Sequence, residues 1–204
     1  MISVPATAVF PGRVAVVTGS NKGVGYFIAL QLGLSGLFQH VLLGCRDTSR
    51  AEDAVNRLKA EFTSGVSVSS YPLTLGDHNS HQEFAQHVAD TFGKCNVLVN
   101  NAATAYKGAD PTPFKEQCKP TLDINFRGTV DFTERMLPLL RRAAVEGQDA
   151  RLVNVASMSG RLNQVTDQAK VDRLTSPDLT MPELMELVDG YQDSVMAGTH
   201  KEAG

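Results

Sequence analysis

The chain lacks most features that would tie it to a membrane, a nucleic acid or an oxidising compartment. Its three cysteines, Cys45, Cys95 and Cys118, are an odd number and lie far apart. They suggest neither a disulfide framework nor a zinc site, and a reducing compartment fits them. There is no basic excess: the formal net charge is −3, which leaves no footprint for nucleic acid. No apolar run is long enough to span a bilayer. The opening "MISVPATAVFPGRV" has neither the charged n-region nor the long apolar stretch of a secretory signal. The expectation is a cytoplasmic protein with no nucleic-acid and no membrane partner.

What is present is the composition of an ordinary soluble domain, 42% hydrophobic and 20% charged over 204 residues, enough for one real core. Short apolar runs alternate with amphipathic segments. "VAVVT" (14–18), "VLLGC" (41–45), "VSVSSYPL" (66–73), "VLVN" (97–100) and "LVNVAS" (152–157) read as strands, most of them nearly continuously apolar as strands buried on both faces are. A second helix carries Ala51, Ala54, Val55, Leu58 and Phe62 at helical spacing, behind a capping-box pattern Ser49-x-x-Glu52. A third follows Ser80-x-x-Glu83 with Phe84, Val88 and Phe92. A fourth, from about 120 to 143, carries Leu122, Thr129, Met136 and Leu140, and Pro138 is expected to kink it or tighten its end. This alternation predicts an α/β fold, a doubly wound parallel sheet of about five strands in the order 3-2-1-4-5. Ligands should gather at the carboxyl ends of the strands. After Gly160 no further strand is evident. Thr180-x-x-Glu183 caps a run with Leu184, Leu187, Val188 and Tyr191 on one face. His78, His81 and His87 read as a solvated helix surface and name no metal. Lys115, Glu116 and Lys119 read as surface charge.

"VAVVTGSNKGVG" is the first informative site. Thr18, Gly19, Gly23 and Gly25 stand between a strand and an apolar helix, and Asn21, Lys22 and Val24 complete the loop. Glycines let the backbone turn tightly and approach a pyrophosphate, and the helix start favours an anion. A plain glycine-rich turn is the bland alternative. No Gly-Lys-Ser/Thr is present, so this is not a Walker loop. Arg46 stands just past the second strand where an NAD site usually has an acid, and Lys22 lies in the loop. Two cations meeting where a 2′-phosphate would sit favour NADP(H). Both are otherwise solvated surface charges, and Asp47 is free to cap the next helix.

"TGSNKGVG", "NVLVNNAA", "DPTPF", "LDINFRGT" and "RLVNVASMSG" occur in order and at spacings that resemble the short-chain dehydrogenase/reductases. "DPTPF" and the helical segment after "NVASMSG" resemble, more narrowly, the monomeric carbonyl reductases. The resemblance covers residues 13–204. It implies a Rossmann-type sheet binding NADPH, with hydride transfer to a ketone, aldehyde or quinone. It implies that Asn101 stabilises the central sheet and that its neighbours Ala102 and Ala103 line the ribose. Ala103 replaces the family's usual glycine. Thr74 stands where the family commonly has an aspartate that accepts from the adenine amino group, while the backbone of Leu75 can still contact the base. Ser157 matches the catalytic serine that hydrogen-bonds the carbonyl. Asn125 matches the asparagine that orders water and helps to position the catalytic lysine. Their alternatives are a strand-end serine capping the segment after it and a satisfied buried asparagine.

The family's proton donor is a tyrosine paired with a lysine four residues on, and no Tyr-x-x-x-Lys occurs here. Leu30 follows Tyr26 at that spacing, Leu75 follows Tyr71, Asp110 follows Tyr106 and Val195 follows Tyr191. Tyr191 fits the apolar stripe of the last helix rather than catalysis. The expectation is a single incomplete NADP-binding domain, residues 1–204, truncated before that motif, with 160–204 a helical insertion. Strand five then becomes an edge, and uncovered apolar sheet favours self-association, whereas complete members of this type are monomers. A carbonyl compound is the expected substrate of the completed site. A non-catalytic NADP-binding module and a fragment without function are the rival readings. Extended sugar-nucleotide epimerases fit the glycine spacing less well.

Overall fold

A computed structural model describes residues 12–62, 65–147 and 149–201. The opening stretch read for a signal falls mainly on residues 1–11, outside these, as do Glu202 to Gly204 of the closing segment. Along the chain the helices are α1 (Gly23–Leu34), α2 (Thr48–Glu61), α3 (His78–Phe92), α4 (Phe114–Leu122), α5 (Thr129–Val145), α6 (Gln168–Thr175) and α7 (Met181–Ala197). The chain divides into two compact units. One holds the described residues up to Thr104 with Ile124–Val155, and the other holds Ala105–Asp123 with the described residues from Ala156 on.

The first unit is built on a sheet of five parallel strands: β1 (Val14–Thr18), β2 (His40–Cys45), β3 (Ser67–Pro72), β4 (Val97–Asn100) and β5 (Arg151–Asn154). Their order is β3-β2-β1-β4-β5, as the alternation predicts. In the register, Val16 stands opposite Leu42 on one side and Leu98 on the other. Successive side chains of a strand point to opposite faces, and each face has its own core. Val14, Val16, Leu42 and Leu98 pack with Phe84 and Val88 of α3 and Phe132, Met136 and Leu139 of α5. The Phe84 and Phe132 rings meet edge to face at 5.3 Å. Ala15, Val17, Val41 and Leu43 pack with Ala29 of α1 and Ala51, Ala54 and Leu58 of α2. β5 lies at the sheet edge with all four residues exposed.

Several expectations are corrected. Asp47, not Ser49, caps α2, its carboxylate accepting from Arg50 N at 3.0 Å. Asp77 caps α3, accepting from Asn79 N at 2.9 Å and Ser80 N at 3.3 Å, while the Ser80 hydroxyl accepts from Thr74 N. In both cases the chain turns into the helix soon after the strand, and an anionic cap there also meets the positive helix end. The fourth helical segment starts at Phe114 rather than 120, passes through a π-helical stretch Asp123–Gly128 and continues as α5. Pro138 does not end α5, which reaches Val145. Burial of Phe132, Met136, Leu139, Leu140 and Ala143 holds the helix through the missing N–H. His81 is no surface residue: it is 1% exposed, and its Nδ1 lies 2.5 Å from Asp131 Oδ2. It continues the α3 stripe one turn back from Phe84 and meets the Phe132 ring. His87 stacks on Tyr71, and His78 stays exposed.

In the second unit α4 packs on α7, burying Cys118 and Val195. The Thr180–Glu183 capping box forms as read from the sequence, with Thr180 N donating to Glu183 Oε2 at 2.9 Å. Gly198, at φ +79°, ends α7. The deepest side chain of the α7 stripe is Val195, one turn beyond Tyr191, which is itself 43% exposed. α6, capped by Asp167, was not evident in the sequence pattern. Its Arg173 pairs with Glu183 of α7.

Candidate functional site

The turn between β1 and α1 is fastened on both sides. Thr18 Oγ1 accepts from Asn101 N at 3.0 Å and Ala102 N at 2.9 Å, so the end of β1 is tied to the chain leaving β4. Asn101 Nδ2 donates back to Thr18 O at 2.8 Å and Gly19 O at 3.2 Å. Gly19 N donates to Gly44 O of β2 at 2.7 Å. The glycines serve different ends. Gly19 has φ +63°, and a Cβ there would lie 2.8 Å from Ala102 Cα. A Cβ on Gly25 would lie 2.4 Å from Asn101 Nδ2, so Gly25 is needed for packing. Gly23 has φ +58° with nothing within 4 Å of a Cβ, so it supplies a left-handed turn beside open space. Lys22 precedes α1 as an extended N-cap residue whose side chain makes no cap hydrogen bond. The helix start is left with N–H donors for an anion.

Beside this turn lies a cleft of about 520 Å³, formed where β1 to β4 give way to the segments after them. Gly19, Asn21, Lys22, Gly23, Arg46, Thr74, Leu75, Asn101, Ala102 and Ala103 all line it. Val24, 62% exposed, and Gly25, buried against Asn101, do not. Sequence reasoning missed Cys45, Arg50, Thr104 and Ile124, which also line the cleft. Arg50 had a usable signal: it stands one turn into α2, behind the Asp47 cap, and pairs with Asp47 at 3.2 Å. Lys22 and Arg46 have no ion-pair partner among the described residues, so their charges remain available to a ligand in the cleft. Burial pushes the Cys45 thiol pKa up, which keeps it neutral and a poor nucleophile.

Asn125 sits in the π-helical stretch, a feature often found at functional sites. Its Oδ1 accepts from Thr104 N at 2.7 Å, and its Nδ2 donates to Thr104 O at 2.8 Å. Both amide groups are therefore engaged with the backbone of a cleft residue. An unforeseen network stands nearby: Asn100 Nδ2 donates to Thr133 Oγ1 at 2.8 Å and Asn154 Oδ1 at 2.9 Å, joining β4, α5 and β5. Ser157 belongs to the second unit, past the end of β5 at Asn154. It caps a 3-10 turn, accepting from Ser159 N at 3.1 Å, and its hydroxyl proton remains free to donate. Burial first, and then Cys118, raise the Tyr191 phenol pKa. That is the opposite of the lowering a lysine partner gives a proton-donating tyrosine.

Comparison with known proteins places these features in a family. The model of the short chain dehydrogenases matches residues 13–169. Carbonyl reductase (NADPH) 1 from Macaca fascicularis is 36% identical over 194 residues, covering 94% of this chain and 66% of that protein. The human protein of the same name gives the same identity and coverage. This chain thus spans just under two thirds of the length of these relatives. Among solved structures, menthone neomenthol reductase from Mentha piperita superposes with a TM-score of 0.81 at 27% identity, over 93% of this chain and 76% of that one. Salutaridine reductase from Papaver somniferum gives 0.80 at 26% identity, over 94% and 74%.

Proposed function

Since this chain belongs to the short-chain dehydrogenase family, we propose that it holds NADP(H) for the reduction of a ketone, aldehyde or quinone. The observation that carries this reading is the placing of two unpaired cations, Lys22 and Arg46, in the same cleft as the glycine turn. The cleft residues fit the cofactor's chemistry. Open space beside Gly23 and the unmet N–H groups of α1 suit a pyrophosphate, and Lys22 and Arg46 suit a 2′-phosphate. Thr74, Leu75, Asn101, Ala102 and Ala103 form the rest of the wall against which adenine and ribose would lie. Relatives named as NADPH carbonyl reductases support both the cofactor and the substrate class.

When bound, NADPH supplies the hydride for the carbonyl carbon. From the family resemblance, Ser157 is the donor to the carbonyl oxygen, and its free hydroxyl proton allows that role. Asn125 holds the Thr104 backbone and so shapes the cleft wall. No Tyr-x-x-x-Lys occurs in the 204 residues. A positioned general acid is worth about 10²–10⁴-fold in rate, so this polypeptide alone binds the cofactor and turns over little or nothing. The second reading, a non-catalytic NADP-binding module, draws on the same pairing of an intact cleft with no proton donor. None of the described helices is long and apolar enough to cross a membrane.

NADPH fluorescence titration, with absorbance assays on a quinone, tests both parts. The reading expects saturable binding without appreciable turnover. Failure to bind at about 1 mM, a free energy near −4 kcal/mol, removes the cofactor role. Robust turnover that survives Tyr191→Phe but not Ser157→Ala removes the claim of a missing acid.

A further inference from the structure

The phosphate-binding turn is fastened from a third side, by a residue with no place in the cleft. Arg57 of α2 donates from Nη2 to the Asn21 carbonyl at 3.1 Å. Its guanidinium also lies over the Tyr26 ring of α1, with Cζ 4.4 Å from the ring centroid. One side chain therefore grips the middle of the turn and the first stretch of the helix that the turn opens. An arginine suits both contacts, because its planar fork donates in-plane while its face stacks on an aromatic ring. The peptide between Asn21 and Lys22 is planar and trans, so fixing the Asn21 carbonyl toward α2 aims the Lys22 N–H the opposite way. It also fixes the backbone that carries the Lys22 side chain.

We infer that Arg57 is a positioning residue for cofactor binding: it sets the peptide plane at Asn21–Lys22 and so pre-organises the glycine turn for the pyrophosphate. This rests on the reading of the cleft as a dinucleotide site. Arg57 does not line that cleft. It acts through the loop, by removing alternative turn conformations that a ligand would otherwise have to freeze out. The Asn21 carbonyl needs a donor there.

Arg57→Ala removes the donor, while Arg57→Lys keeps a cationic N–H donor of comparable reach. NADPH titration should show Arg57→Ala binding about tenfold more weakly, the scale of one charge-assisted hydrogen bond. Arg57→Lys should recover most of the loss, and both variants should melt at the wild-type temperature. In the ligand-free protein, amide hydrogen exchange across residues 19–25 should speed up in Arg57→Ala and stay near wild type in Arg57→Lys. Equal affinity for wild type and Arg57→Ala overturns the inference. So does Arg57→Lys binding as weakly as Arg57→Ala, because a cationic donor at that position would then not be what orders the turn. Wild type failing to bind NADPH defeats the dinucleotide reading alone, and the exchange experiment still decides whether Arg57 orders the turn.

Discussion

At the scale of single residues, the glycines and the two cations of the cleft make separable predictions. Gly25→Ala drives a methyl to 2.4 Å from the Asn101 amide that caps Thr18 O and Gly19 O. Either Asn101 gives up those bonds or α1 moves. The expected cost is about 1–3 kcal/mol, the penalty for leaving buried polar groups unmet, read as a lower denaturation midpoint with weaker NADPH binding. Lys22→Ala and Arg46→Ala touch only charge, so they should weaken NADP by about tenfold or more each while NAD affinity hardly changes. Direct titration with both dinucleotides checks this, and equal losses for the two would place the cations elsewhere than at the 2′-phosphate. Gly19, Gly23, Lys22 and Arg46 were legible in the sequence because their spacing between a strand and a helix has few other uses. Arg57 was not, because its partners Asn21 and Tyr26 lie more than thirty residues away and only folding brings them together.

At the scale of elements, α3 and α5 are also joined by a polar pair of which His81 is buried and Asp131 only partly so. His81 Nδ1 meets Asp131, which Arg135 also grips at 3.2 Å. Partial burial alone would raise the Asp131 pKa, but hydrogen bonds from His81 and Arg135 outweigh it and leave it lowered. Asp131→Ala strands the buried His81 Nδ1–H, with an expected loss of about 1–3 kcal/mol, measurable by urea denaturation. Asp131→Asn, which keeps an acceptor, should cost less. A result in which both variants match wild type would show that His81 finds another partner. The sequence displayed the strands, the sheet order and the apolar stripes of α2 and α3, because short apolar runs and period-3.6 stripes reflect burial directly. It did not display which residue caps α2 or α3. Asp47 and Ser49, like Asp77 and Ser80, are both competent caps, and the fold takes the aspartate in each case. It misjudged His81 because a histidine looks polar, whereas a carboxylate from α5 lets it join the core.

At the scale of the whole molecule, acid should weaken the fold through carboxylates held charged. The hydrogen bond from Lys94, and then its charge, lower the Glu146 pKa from 4.5, and Asp131 is lowered from 3.8. A depressed carboxylate stabilises the fold fully above its ordinary value and loses that contribution as pH falls through the depressed one. Melting temperature should therefore hold from neutrality to about pH 5 and fall progressively below it, with Glu146→Gln flattening part of the fall. A melt that is level down to pH 3 would contradict this assignment. The exposed edge of β5, with Leu152 and Val153 each 43% exposed, is further expected to favour concentration-dependent association, which light scattering would detect. The central claim is that the cleft of the first unit is an NADP(H) site. Its most direct measurement is calorimetric titration of the 204-residue chain with NADP and NAD side by side. Saturable NADP binding at least about tenfold tighter than NAD is expected, the differential from Lys22 and Arg46 on the 2′-phosphate. Equal affinity for the two, or no heat of binding with either, would contradict it.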